Sequence, residues 1–145
     1  MALTIKNIEL WRKETENKPG SLAATLGTFA KGGANLQIVM AYRYPGQEQK
    51  AAIELFPVAG KKLTDAALGD GLSVSGIPTL LVEGDNRPGL GHAITQSIAD
   101  AGINLAFLVT QVIGRKYSAV IGFDSADEAK EAIVLIKKAS ARTGK

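Results

Sequence analysis

The feature that most constrains this chain is that it is written twice. Glu16-Asn17-Lys18-Pro19-Gly20 returns as Asp85-Asn86-Arg87-Pro88-Gly89, and Gly33-Ala34-Asn35-Leu36 returns as Gly102-Ile103-Asn104-Leu105. Both pairs are 69 positions apart (85 − 16 and 102 − 33). Between residues 16–36 and 85–105, 8 of 21 positions are identical without a gap. Unrelated sequences of average composition would match at on the order of one or two. The chain is therefore a duplication, and any fold assigned to one half must serve the other. The same offset relates Leu3–Ile8 to Leu72–Ile77. Downstream, Ala51-Ala52-Ile53 reads against Ser118-Ala119-Val120 at an offset of 67, which places two extra residues in the first copy's loop at 44–48.

Each copy reads as strand, helix, strand, strand, helix, strand. In the first, 8–16 is extended and Pro19-Gly20-Ser21 opens a helix to about Lys31, with Leu22, Leu26, Phe29 and Ala30 on one face. Gly32-Gly33 supplies a left-handed cap. Leu36–Tyr44 and Lys50–Phe56 form a hairpin, Gly60–Leu68 a short helix and Leu72–Ser75 a strand. The second copy repeats this order over 79–84, 90–101, 105–113, 117–123 and 126–139, the last helix opened by the capping box Ser125-Ala126-Asp127-Glu128. Only the polar, basic residues 140–145 follow, which makes no closing strand. By the repeat, Leu3–Lys6 supplies it. The domains are expected as 1–76 and 77–145, with residues 3–6 pairing into the second.

Composition narrows the function. The chain of 145 residues has no cysteine and one histidine. Disulfides, thiol nucleophiles, Cys-ligated zinc and mechanisms needing two imidazoles are excluded. No Gly-rich phosphate motif, Ser/His/Asp order or metal-ligand spacing is present, so no catalytic residue, metal or cofactor is expected. The net charge of +3 comes largely from Lys130, Lys137, Lys138, Arg142 and Lys145, read as a solvated helix face and a basic tail. The N-terminal residues lack a signal-peptide pattern and no apolar run approaches a membrane span, so a cytoplasmic setting is expected.

Asn-Lys-Pro-Gly and Asn-Arg-Pro-Gly entering the first helix of each copy, and Gly-x-Asn-Leu leaving it, resemble the ACT domain, a ferredoxin-like module that binds amino acids and regulates metabolic enzymes. The resemblance covers essentially the whole chain as a tandem pair. It implies an α+β fold in which two βαββαβ modules lie side by side, with one continuous, mainly antiparallel sheet and the helices on one face. It also implies a free amino acid bound at a module junction and no enzymatic activity of the chain's own, the effect passing to a partner such as a metabolic enzyme. The candidate ligand residues are Asn17, Lys18, Pro19, Gly20, Ser21, Asn35 and Leu36 in the first copy. In the second they are Asn86, Arg87, Pro88, Gly89, Leu90, Gly91, His92, Asn104 and Leu105. A helix start carries unpaired N–H groups that suit an α-carboxylate, and the asparagine amides both donate and accept. The same Pro, Gly and Asn residues are also turn formers, so a structural role stands beside the binding one. Gly91, where the first copy has Leu22, would admit a ligand closest to the backbone, which favours the loop 86–91.

Two further expectations concern partners. The RNA-recognition motif shares the βαββαβ order, and Arg115–Phe123 superficially resembles its basic-aromatic strand. The middle stacking position is Ala119, however, and the first copy has no aromatic there, which disfavours a nucleic-acid partner. Thr79–Val82 and Leu105–Val109 do not alternate, so both faces of those strands are expected to be buried. A second copy covering the open sheet face, in a homodimer, is the simplest cover.

Overall fold

The computed structural model describes residues 3–143. The elements in chain order are β1 (Thr4–Ile8), β2 (Trp11–Glu16), α1 (Ser21–Lys31), β3 (Ile38–Tyr44), β4 (Gln47–Phe56), α2 (Lys61–Gly69) and β5 (Ser73–Val74). Then follow β6 (Thr79–Asp85), α3 (Leu90–Asp100), β7 (Leu105–Ile113), β8 (Lys116–Phe123) and α4 (Ala126–Thr143). Residue contacts gather these into two units, 9–76 and 3–8 with 77–143, called here the first and second modules.

β1 leaves its sequence neighbours and pairs antiparallel with β6, from Thr4↔Glu83 to Ile8↔Thr79. In the second module the strand order is β1-β6-β8-β7, and in the first β3-β4-β2-β5. The N-terminal strand thus holds the place in the second module that β5 holds in the first, as the repeat requires. The strands make two four-stranded sheets, not the one continuous sheet that the resemblance implies.

Each sheet buries one face under its own two helices. In the first module Ile53 and Leu55 of β4 pack with Phe29 of α1 and Ala67 of α2. In the second, Leu80, Val82 and Ile121 pack with Ile94 and Ile98 of α3 and with Ala132 and Ile136 of α4. The helical residues recur at three- and four-residue spacing, which sets them on one stripe.

The ladders correct the alignment of the two copies. Trp11 pairs with Leu55, and Leu80, 69 residues after Trp11, pairs with Ile121. Leu55 therefore corresponds to Ile121, an offset of 66 (121 − 55), not 67. A one-residue slip moves every side chain to the opposite face. The sequence match failed because β4 and β8 carry small apolar residues on both faces. The first copy accordingly has three extra residues, Glu48–Lys50. They sit where the β3–β4 register jumps from Arg43↔Ala51 to Tyr44↔Gln47.

Two other expectations change. α4 runs past Ala139 to Thr143, and Ser140 is buried. Arg87 Nη2 donates to the Ser140 carbonyl at 3.2 Å, a cation at a helix C-terminus where exposed carbonyls and the dipole favour it. Of the basic tail, Lys145 and the side chain of Arg142 lie outside the described residues. Of the two strands expected to be buried on both faces, Thr79–Val82 is, with Leu81 covered within the single chain, whereas Leu105–Val109 is not, since Ala106 and Val109 are exposed; the Phe107 ring lies over Gly122. The strand pattern by itself therefore does not require a partner.

On the face of the first sheet away from its helices, charged and phenolic groups interlock. Tyr42 Oη donates to Glu54 Oε2 at 2.8 Å, Tyr44 Oη donates to Glu14 Oε2 at 2.8 Å, and Arg12 Nη2 donates to Tyr44 Oη. Glu54 is only 2% exposed, and its Oε1 has no hydrogen-bond partner among the described residues. Burial, with the bond to Glu54, pushes the Tyr42 phenol above its usual 10.0. Tyr42→Phe should destabilise the chain by about 1–3 kcal/mol, because it leaves a buried carboxylate with neither oxygen satisfied. In a Glu54→Leu background the same change should cost much less, a coupling that urea denaturation of the four variants reads directly. A phenol with a raised folded pKa contributes stability that is full below its unfolded value and lost as the pH climbs through the folded one. Wild type should therefore lose more stability above pH 10 than Tyr42→Phe does.

Candidate functional site

The loop between β2 and α1 turns sharply at Gly20, whose φ of +91° is left-handed, and the loop between β6 and α3 does the same at Gly89, φ +84°. These positions need glycine for the backbone itself. The loop is also tied to the hairpin. Asn17 N donates to the Gln49 carbonyl at 2.9 Å, and Asn86 N donates to the Arg115 carbonyl at 2.8 Å, the same bond in each module. Only in the first module do the three extra residues reach further: Asn17 Nδ2 donates to the Glu48 carbonyl at 2.7 Å. That bond uses one of the two amide N–H groups and leaves Asn17 Oδ1 as an acceptor.

A cavity of about 480 Å³ opens beside this loop, within the first module. Asn17, Lys18 and Ser21 line it from the loop and the start of α1, and Arg43, Ala51 and Ile53 from β3 and β4. It is a concave space of the size small ligands use, with Leu22, Ala51 and Ile53 among its apolar walls and Thr15, Glu16, Asn17, Lys18, Ser21, Tyr42 and Arg43 as its polar and charged lining. Lys18 pairs with Glu16 at 3.1 Å, both well exposed.

The equivalent place in the second module is filled. With the structural offsets, Ser21 corresponds to Leu90 (90 − 21 = 69) and Ala51 to Tyr117 (117 − 51 = 66). Leu90 is 1% exposed and Tyr117 4%, and both belong to the core of that module. The Tyr117 hydroxyl stands 3.7 Å from where a Cβ on Gly91 would be. The room that Gly91 leaves is thus next to a core tyrosine, and the open cavity lies at residues 17–21, not at the favoured 86–91.

The remaining sequence candidates scatter. Leu36 and Leu105 pack against the two cores. Asn35 and Asn104 are exposed beyond the C-terminal ends of α1 and α3, whose caps include the left-handed Gly33 and Gly102. A helix of 11 residues is roughly 16 Å long, so within one module these asparagines are remote from the loop before the helix. Arg87 caps α4. Pro19 and Pro88 are exposed in their turns. His92 lines a separate groove of about 540 Å³ between α3 and α4. Near Asn86, the bond from Lys116 at 2.6 Å holds the exposed Asp85 carboxyl below its ordinary range. Arg43 and Ala51 line the cavity and are not among the sequence candidates. The contrast of Arg43 with Val112 is legible at the offset of 69, whereas that of Ala51 with Tyr117 needs the structural offset of 66.

Tyr117 and Phe123 of β8, the aromatics of the RNA-recognition-like stretch, are buried in the core and offer bases no platform. Among the described residues no cluster of three His, Cys, Asp or Glu side chains could hold a metal. Nor is any helix among them long and apolar enough to cross a membrane.

No protein-family model matches the sequence, and no curated protein matches it. Solved structures do match. A protein of Bacteroides thetaiotaomicron superposes with a TM-score of 0.74 at 16% identity, over 92% of this chain and 89% of that one. The regulatory subunit of aspartate kinase from Thermus thermophilus gives 0.64 at 15% identity, over 96% and 97%. A putative C-terminal regulatory domain of aspartate kinase from Porphyromonas gingivalis gives 0.57 at 14%, over 94% of each chain. At such identities the likeness is one of fold alone, the α+β fold of two four-stranded antiparallel sheets with their helices.

Proposed function

We propose that this chain, built on the fold of two ACT modules, binds a free amino acid in the cavity of its first module and serves as a stand-alone regulatory sensor acting on a metabolic enzyme. The observation that carries this reading is the contrast between the modules. Duplicated halves begin equal, yet Ser21 and Ala51 leave one cavity open where Leu90 and Tyr117 close the other. The regulatory names of two of the similar structures support the amino-acid and partner-enzyme parts of the reading. Binding rather than catalysis is the activity proposed.

The test is thermal denaturation of the whole chain with each free amino acid in turn. A ligand at 100 times its dissociation constant should stabilise the fold by about 2.7 kcal/mol. Ala51→Tyr, which copies the second module's filling into the first, should abolish that stabilisation while the protein alone melts cooperatively. Stabilisation that survives Ala51→Tyr would move the ligand elsewhere, and silence across all amino acids would remove the proposal.

A further inference from the structure

We infer that the first module's cavity selects a dicarboxylic amino acid, of the aspartate and glutamate class, through Arg43; the inference rests on the reading that this cavity binds an amino acid. Three lining positions differ between the modules in a common sense. Ser21 and Ala51 open the space, and Arg43 charges it, where the second module has Leu90, Tyr117 and Val112 (112 − 43 = 69). Opening alone would have served any small ligand. A cation added at the mouth of an opened cavity serves an anion.

Arg43 is available for that task. Lys18, the other cation of the lining, is paired with Glu16. Among the described residues no ion pair engages Arg43. The charge of the lining is thus +1, from Lys18 and Arg43 against Glu16. A guanidinium takes a carboxylate through two parallel hydrogen bonds, which favours a planar anion over an ammonium or a hydroxyl. The zwitterionic end has complementary groups on the loop side. Asn17 keeps Oδ1 as an acceptor for the α-ammonium, its Nδ2 being held by Glu48. A lysine ligand would meet two cations at the same mouth.

Aspartate and asparagine are nearly isosteric and differ in side-chain charge, so their comparison isolates Arg43, with lysine as a longer, cationic control. Calorimetric titration of the whole chain at low salt should give aspartate binding about tenfold or more tighter than asparagine, with lysine weakest. The aspartate advantage should shrink as salt screens the exposed guanidinium. Arg43→Met should bring aspartate down to the asparagine level and leave asparagine unchanged, and Arg43→Lys should keep part of the preference. Arg43 is exposed on an edge strand, so neither change disturbs the core. Equal binding of aspartate and asparagine to wild type, abolished by Ala51→Tyr, would overturn the charge selectivity and leave the cavity reading intact. A preference that persists in Arg43→Met would overturn the role of Arg43. Absence of aspartate binding, with another amino acid stabilising the chain in an Ala51-dependent way, would overturn the selectivity alone, and silence across all amino acids would bring down both.

Discussion

Deleting residues 1–8 should unfold the second module. β1 contributes five paired residues along β6, and Leu3 and Ile5 pack on the core while Ile8 is itself buried. Burying a large apolar side chain stabilises by about 1.5–3 kcal/mol, so three of them approach the whole stability of a domain, about 5–15 kcal/mol. The loss is larger than that sum suggests, because Thr79–Val82 would become an apolar edge with unpaired amides, a template for aggregation. Hydrogen exchange at the amides of Leu80–Val82, with urea denaturation, measures the effect. A synthetic peptide of residues 1–10 added in trans should restore protection. A truncated chain with unchanged protection and midpoint would refute the strand's role.

Tyr117→Ala is expected to lower stability by about 3–5 kcal/mol, as for other buried aromatics reduced to alanine. The tyrosine is 4% exposed in the second module's core, and its removal recreates beside Leu90 the opening that Ala51 leaves beside Ser21. The substitution therefore has a second consequence besides its cost. If open space at this position is what distinguishes the modules, the variant should acquire a void in its second module, detectable by xenon or by hydrophobic dyes, while amino-acid binding at the first is unchanged. A stability loss below about 1 kcal/mol would mean that the ring is not a core element. Full loss of binding in the first module would contradict the independence assumed for its cavity.

Much of the architecture was legible before any coordinates. The offset of 69 between Asn17-Lys18-Pro19-Gly20 and Asn86-Arg87-Pro88-Gly89 announced two equivalent modules, and the match of residues 3–8 with 72–77 assigned the first strand to the second of them. Those inferences succeed because turn chemistry is local: a left-handed glycine and the helix start it precedes depend on a few consecutive residues. The capping box at Ser125 held for the same reason, with the Glu128 amide donating to Ser125 Oγ at 3.1 Å.

The site was less legible. Favouring Gly91 as the open position treated a missing side chain as empty space, when Tyr117, 26 residues further on (117 − 91), stands next to it. Arg87 reads as a ligand-loop cation but serves the end of α4, because that helix continues four residues beyond its apolar pattern. Sequence alone determined the repeat, the element order, the exchanged strand and the turns, all of which are set by short-range stereochemistry and by apolar periodicity. Tertiary structure alone decided the register of β4 against β8, and with it which of two nearly identical loops borders open space. Packing of side chains distant along the chain controls that outcome, and no local pattern records which neighbour will fill a gap.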